Sequence, residues 1–279
     1  MEKIVVTGGS GQVGYELIKD LVERGYKVLN IDLVPPKERL CPYLRVDITD
    51  FGQVCEALHG YDAVVHLGAI INSGIVTEEQ TFRQNIASIY NVFAVAQMYR
   101  MQRVVWISSI QAMGFPLRGT LPVYLPVDEA YPVRANNSYA LTKVLGEEIL
   151  RQFHTQTGIP AVGFRFPYII RQERYELILK NERRGKQHAN ELWGYLDVRD
   201  AAQCCRLALE ADITGAEIFV ATAADTLMET DSMELMREYY PEVPIKRAVN
   251  GHESLFSIEK ARKVLGFEPK YSWRDMGIL

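Results

Sequence analysis

A chain of 279 residues that is 48% apolar and 24% charged can bury a sizeable core without disulfide or lipid support, which excludes a disordered or collagen-like polymer. Its 31 basic and 35 acidic residues leave a formal net charge of −4, with Lys and Arg dispersed instead of gathered in a stripe, so no nucleic-acid partner is expected. No apolar run approaches the roughly 18 residues of a membrane helix, and the opening MEKIVVTGG has no signal-peptide pattern, so a cytoplasmic chain without membrane association is expected.

In chain order, Lys3 to Thr7 predicts the first strand, and Gly11 to Arg24 a helix with Val13, Leu17, Ile18, Leu21 and Val22 at helical spacing, stopped by Gly25. Strands follow at Lys27 to Ile31 and Ala63 to His66, then a long helix from Glu78 to Met101 and a strand from Val104 to Ile107. Asn137 or Ser138 caps a helix running to about Thr157, and Ala161 to Phe166 is the next strand. From Phe166 to Gly194 the pattern weakens. ERRGKQ at 182–187 reads there as an exposed turn, and this stretch is expected to be a substrate-facing insertion. Beyond it come a helix over Val198 to Leu209, a strand over Glu217 to Val220, and helices over Ser232 to Tyr239 and Ser257 to Leu265. Continuous apolar strands separated by helices imply a parallel sheet covered on both faces, the doubly wound α/β class of Rossmann type. Residues 1–165 are expected to form the nucleotide-binding domain. Residues 166–279 form a small substrate lobe interleaved with the last sheet strands, because strands near 161 and 217 return to one sheet. Cys41, Cys55, Cys204 and Cys205 make no C-x-x-C pair and have no His at ligand spacing, so reduced core thiols and no metal are expected.

The turn after the first strand, TGGSGQVG, fits both Gly8-x-x-Gly11-x-x-Gly14 and Gly9-x-Gly11-x-x-Gly14. Glycines here permit a tight turn and let backbone N–H groups and the positive helix end approach a pyrophosphate, while the last allows close helix–sheet packing. Gln12 and Val13 lie inside the same turn and complete the predicted phosphate cradle. Asp32 ends the second strand about eighteen residues after Gly14, where a carboxylate accepts hydrogen bonds from an adenosine ribose and repels a 2′-phosphate. Leu33 and Val34 stand where an NADP site often carries Arg, which favours NAD, although Lys37 and Arg39 lie close enough to argue for NADP.

Tyr139 and Lys143 in NSYALTK lie four apart, on one face of a helix. An ammonium there stabilises a phenolate, bringing a phenol of pKa near 10 towards use as a base. Spacing alone does not identify the pair, because Tyr15 and Lys19 repeat it. Position does: Ser108 and Ser109 close the strand RVVWISS upstream of Tyr139, and ligands of parallel sheets bind beyond the strand carboxyl ends. Ser109 is therefore placed to hold the oxygen whose proton Tyr139 removes.

Together these motifs resemble the extended short-chain dehydrogenase/reductase superfamily, in its NAD-dependent sugar epimerase/dehydratase branch, over nearly the whole chain. The resemblance implies that Thr7 to Gly14 is the cofactor loop, that Asp47 and Ile48 in RVDITD flank the adenine, and that Leu67, Gly68 and Ala69 in VVHLGA pass under the cofactor. It implies a structural Asn85 in the long helix, and Ser109, Tyr139 and Lys143 as the catalytic set, with Tyr139 and Lys143 also touching NAD. Hydride then passes between a substrate carbon and nicotinamide C4. Ser73, Ile110, Gln111 and Arg165 are the implied substrate contacts, and Arg171 and Arg174 offer carboxylate or phosphate binding or a solvated surface. In relatives the helices here at 78–101 and 137–157 pair across a homodimer as a four-helix bundle.

Departures bear on substrate. Met113 stands where many relatives carry Tyr, and only about thirty residues separate Arg165 from Asp197, where nucleotide-sugar enzymes insert a longer lobe. The compact layout and SSIQAMGFP resemble uronate dehydrogenases, with Ile110 and Gln111 replacing that group's Asn and His. The expected function is an oxidoreductase acting at a secondary alcohol of a small sugar or sugar derivative. A free-uronate dehydrogenase that releases NADH and a non-catalytic dinucleotide sensor are the alternatives. His66 is expected to be structural, and Trp193 and Tyr195 either line the cleft or pack in the core.

Overall fold

The computed structural model describes residues 1–71, 76–179 and 188–276. Seven parallel strands form one sheet in the order β3-β2-β1-β4-β5-β6-β9. They are β1 (Lys3–Thr7), β2 (Lys27–Asp32), β3 (Tyr43–Arg45), β4 (Ala63–His66), β5 (Arg103–Ser109), β6 (Ala161–Phe166) and β9 (Ala216–Val220). A separate parallel pair joins β7 (Tyr168–Ile170) to β8 (Tyr195–Asp197). The central strands are apolar on both faces because helices cover both. On one face α1 (Gln12–Glu23) packs on α6 (Val198–Glu210), and α8 (Glu259–Leu265) joins the same core. On the other lie α2 (Phe51–Leu58), α3 (Glu78–Met98) and α4 (Ser138–Thr157).

A third apolar cluster gathers Phe115, Trp193, Tyr195, Leu235, Phe256 and Trp273, from the loop after β5, the β7–β8 region, α7 (Ser232–Tyr239) and the following chain. Tyr195 and Trp193 are fully buried in it, so they pack in a core and do not line a cleft. Short α5 (Tyr175–Leu179) leads out of the same region.

Local chemistry sets the element ends. Asn137 caps α4 by accepting from the Ala140 N–H, and Gly158 ends it in the left-handed region at φ 70°. The long helix ends at Met98, three residues earlier than the pattern predicts, because Arg100 turns left-handed (φ 49°) to feed β5. The last helix begins at Glu259, two residues late, with its N–H over the Ser257 hydroxyl. Strand order reverses between β1 and β4, which opens a crevice at the carboxyl edge of the sheet. The turn predicted at 182–187 lies outside the described residues.

Candidate active site

A cleft of about 750 Å³ fills that crevice. Gly8, Gly11, Gln12, Val13 and Gly14 border it, as do Asp32, Asp47, Ile48, Leu67, Gly68, Ala69, Ser109 and Tyr139, so the sequence-predicted residues from five strand ends meet in one place. Ser73 lies outside the described residues. Gly8 needs its missing side chain: its φ is +67° and an added Cβ would come within 2.8 Å of the Gly68 nitrogen. Gly14 is equally closed, since a Cβ would lie 2.5 Å from the Gly9 Cα, with backbone that cannot yield. Helix α1 starts at Gln12 behind an N-cap glycine, Gly11, with no side-chain cap and no acid in its first turn, so its leading N–H groups remain free to meet an anion.

Two carboxylates mark the far end of the cleft. Asp32 accepts from the Ser10 N–H at 3.1 Å and the Val34 N–H at 3.2 Å. Asp47 is tied by the Thr49 N–H and hydroxyl at 2.9 and 2.7 Å. Between them and the end bordered by Ser109 and Tyr139, the Thr7 hydroxyl bridges the Gly68 N–H (3.1 Å) and His66 Nδ1 (2.7 Å). Burial, helped by Lys143, pulls His66 down to about 3, so it is a neutral structural imidazole. Asn85 clasps the backbone of Ile70 from both sides, at 2.8 and 3.0 Å, and fixes the loop after β4.

At the other end, Tyr139 is buried and borders the cleft together with Ser109. Lys143, one turn further along α4, is buried behind it, with Nζ 5.3 Å from the Tyr139 ring centre and 5.0 Å from that of Trp106. Its ammonium donates to the Ile107 carbonyl at 2.6 Å. In the polypeptide alone, burial outweighs the neighbouring groups at both residues. Burial pushes Tyr139 up to about 12 against the opposing Ser109 hydrogen bond, and burial pulls Lys143 down to about 7 against the opposing charge of Glu147.

Glu147 is the residue that sequence reading missed. It holds a bidentate pair with Arg165, both contacts at 2.8 Å, and accepts from the Ser108 hydroxyl at 2.7 Å. The signal was present: Glu147 stands four beyond Lys143, on the same helical face.

Two substrate expectations are corrected. Arg165 is 2% exposed, with its guanidinium consumed by Glu147 and the Glu129 carbonyl, because its strand is buried on both faces and a charge there needs a fixed counter-ion. Arg174 is exposed at the end of a short 3-10 turn and does not border the cleft. Its neighbour Arg171 pairs with Glu173 at 3.3 Å. Ile110 and Gln111 do border the cleft, and Gln111 Oε1 accepts from Asn137 at 3.1 Å. Phe115, Tyr168 and Glu191 also line it, without any motif to announce them.

Among the described residues, no helix is long and apolar enough to cross a membrane, and no group of three or more His, Cys, Asp or Glu is placed to hold a metal.

A parallel sheet with a glycine-lined crevice at the point where its strand order reverses defines a dinucleotide-binding fold of Rossmann type. The model of the NAD dependent epimerase/dehydratase family matches residues 4–221, and the chain belongs to that family, whose cofactor is NAD. It is 31% identical over 172 residues to a 3-beta-hydroxysteroid dehydrogenase of Mycolicibacterium neoaurum, covering 58% of this chain and 46% of that one. It is 29% identical over 172 residues to a putative UDP-glucose 4-epimerase of Methanocaldococcus jannaschii, covering 58% and 54%. The chain thus spans about half the length of these curated relatives. A short-chain dehydrogenase/reductase superfamily protein of Agrobacterium tumefaciens, solved with bound NAD, shares the fold, with a TM-score of 0.77 at 23% identity over 99% of this chain and 94% of that one.

Proposed function

We propose that the chain is an NAD-dependent oxidoreductase that transfers hydride at a secondary alcohol of a small sugar-type substrate, with Tyr139 as acid/base. The observation that carries this reading is that Ser109 and Tyr139 border one cleft, with the Lys143 ammonium one helical turn behind, 5.3 Å from the Tyr139 ring centre. The cleft fits NAD. Gly8 and Gly14 leave a cradle that a Cβ would close, the first turn of α1 presents free N–H groups, and Asp32 stands at the end of β2 for a ribose diol. Gly11, Gln12 and Val13 complete the pyrophosphate side, Asp47 and Ile48 the adenine side, and Leu67 to Ala69 the floor.

When bound, NAD supplies the hydride acceptor. Ser109 Oγ holds the substrate oxygen, Tyr139 Oη takes its proton, and Lys143 in its ammonium form lowers the energy of the phenolate. Gln111 and Ile110 flank the reacting group. Residues 1–165 serve as the nucleotide-binding unit and 166–279 as the substrate lobe. The exposed apolar side chains Tyr90, Leu141 and Leu145 on α3 and α4 support a homodimer built on those helices. Four unpaired cysteines support a cytoplasmic site of action.

The test is Tyr139→Phe. Turnover, followed by NADH absorbance and product NMR, is expected to fall at least ~100-fold with NAD affinity retained. Retention of most of the turnover overturns the assignment, and NAD binding without turnover of any alcohol by the wild-type protein points to a dinucleotide sensor.

A further inference from the structure

We propose that the alcohol admitted to this cleft is uncharged and carries an apolar face, and that Glu191 turns anionic alcohols away. The proposal rests on the oxidoreductase reading above and narrows its substrate. Beyond Ser109 and Tyr139 the cleft is bordered by the carboxyl ends of β4, β5 and β6 and the segments that follow them, where Ile70, Ile71, Ile110, Phe115, Phe166 and Tyr168 are apolar and Asn85, Gln111 and Glu191 are polar. Ile71 and Tyr168 are 63% and 42% exposed at this wall, large apolar groups that a ligand's apolar face would cover.

Charge points the same way. The arginines that the sequence offers to an anion, Arg165, Arg171 and Arg174, do not border the cleft. Arg165 is consumed by Glu147, and Arg171 pairs with Glu173. Among the described residues, the charged residues that border the cleft are the acids Asp32, Asp47 and Glu191, the last partly exposed and paired with His188 at 3.4 Å, while Lys180, Arg183, Arg184 and Lys186 lie outside the described residues. An anionic alcohol would lose its hydration against apolar walls and meet a like charge, and both effects disfavour it.

Matched alcohols that differ only in a methyl or a carboxylate group test this. The pairs are 6-deoxygalactose with galacturonate, and 4-methylcyclohexanol with 4-hydroxycyclohexanecarboxylate. Calorimetry on the NADH-loaded protein gives their affinities whether or not they react, and kcat/KM with NAD is compared where they do. The methyl member is expected to be favoured by roughly tenfold or more. Glu191→Gln is expected to shrink that ratio at least ~threefold by improving the carboxylate member. Equal or tighter binding of the carboxylate members, an unchanged ratio in Glu191→Gln, or no binding by any of the four overturns the proposal. Failure of NADH to bind sinks the oxidoreductase reading, whereas NADH binding with the opposite alcohol preference sinks only the substrate class.

Discussion

Lys143 is held between two opposing effects, and the balance is set by a residue that never reaches the cleft. Burial drives its ammonium towards the neutral amine, while the charge of Glu147, four residues on, holds the proton in place at a value of about 7. His66 from β4, Tyr139 on the same helix and the Trp106 ring from β5 also face it, so Glu147 is the anion on which its charge depends. Glu147→Gln is expected to lower the Lys143 pKa further, which moves the upper pH limit of kcat/KM downwards. It also strands Arg165 as a buried cation and costs about 3 kcal/mol in stability by denaturant titration. A structural role alone would leave the pH profile in place. His66 acts on the whole fold. Its folded value of about 3 lies below the unfolded 6.5, so the unfolded chain binds the extra proton, and the His66 contribution is complete above 6.5 and lost as pH falls towards 3. Asp200 opposes this over a narrower span, since burial raises it from 3.8 to about 6 and its contribution fades as pH rises through that value. His66→Asn is therefore expected to flatten the acid side of a plot of Tm against pH, and an unchanged slope would show that other groups govern it.

At the scale of elements, α4 carries both members of the proposed acid/base pair, Tyr139 and Lys143, and its height above β5 decides where they point. That height is set at Gly146, where an added Cβ would lie 2.5 Å from two carbons of the Trp106 ring. Gly146→Ala is expected to cost about 1–3 kcal/mol in stability and to lower kcat by displacing Tyr139 from Ser109. The KM for NAD, whose glycine loop lies on β1 and α1, should change little. Much of this frame was legible beforehand. The Asn137 cap, the Gly158 stop and the apolar runs of β1, β4 and β6 are local signals, and the structure places those elements where the signals put them. Three strands were not. β3, β7 and β8 are three residues each, too short for alternation to register, and they exist only because a neighbour supplies their hydrogen bonds. The reading of Arg165 failed for a related reason. A strand-end arginine in sequence looks available to a ligand, and only the packing of α4 on β6 reveals the carboxylate that already holds it. Gly146 likewise looks like an ordinary interruption of a helix until the ring beneath it is seen.

For the whole molecule, the same two helices that support the active site present apolar surface outward. Tyr90 on α3 is 62% exposed, and Leu141 and Leu145, one turn apart on α4, are 39% and 38% exposed. Since α3 packs directly on α4, the three side chains belong to adjoining helices of one layer, and a second copy of that layer would bury them in an antiparallel four-helix arrangement. Covering α4 from outside would also oppose its displacement from β5, so association and catalysis should be linked through the position of Tyr139. With the proposed homodimer built on this layer, Leu145→Glu is expected to halve the mass measured by light scattering at micromolar concentration, because a carboxylate covered by a second copy would be desolvated without a partner. Leu145 points away from the cleft, so the monomer should still bind NAD, with a lower kcat and a lower Tm. A variant that stays dimeric would place the interface elsewhere, and a monomer with full kcat would show that the inner packing of α4 holds Tyr139 in place without help from a partner.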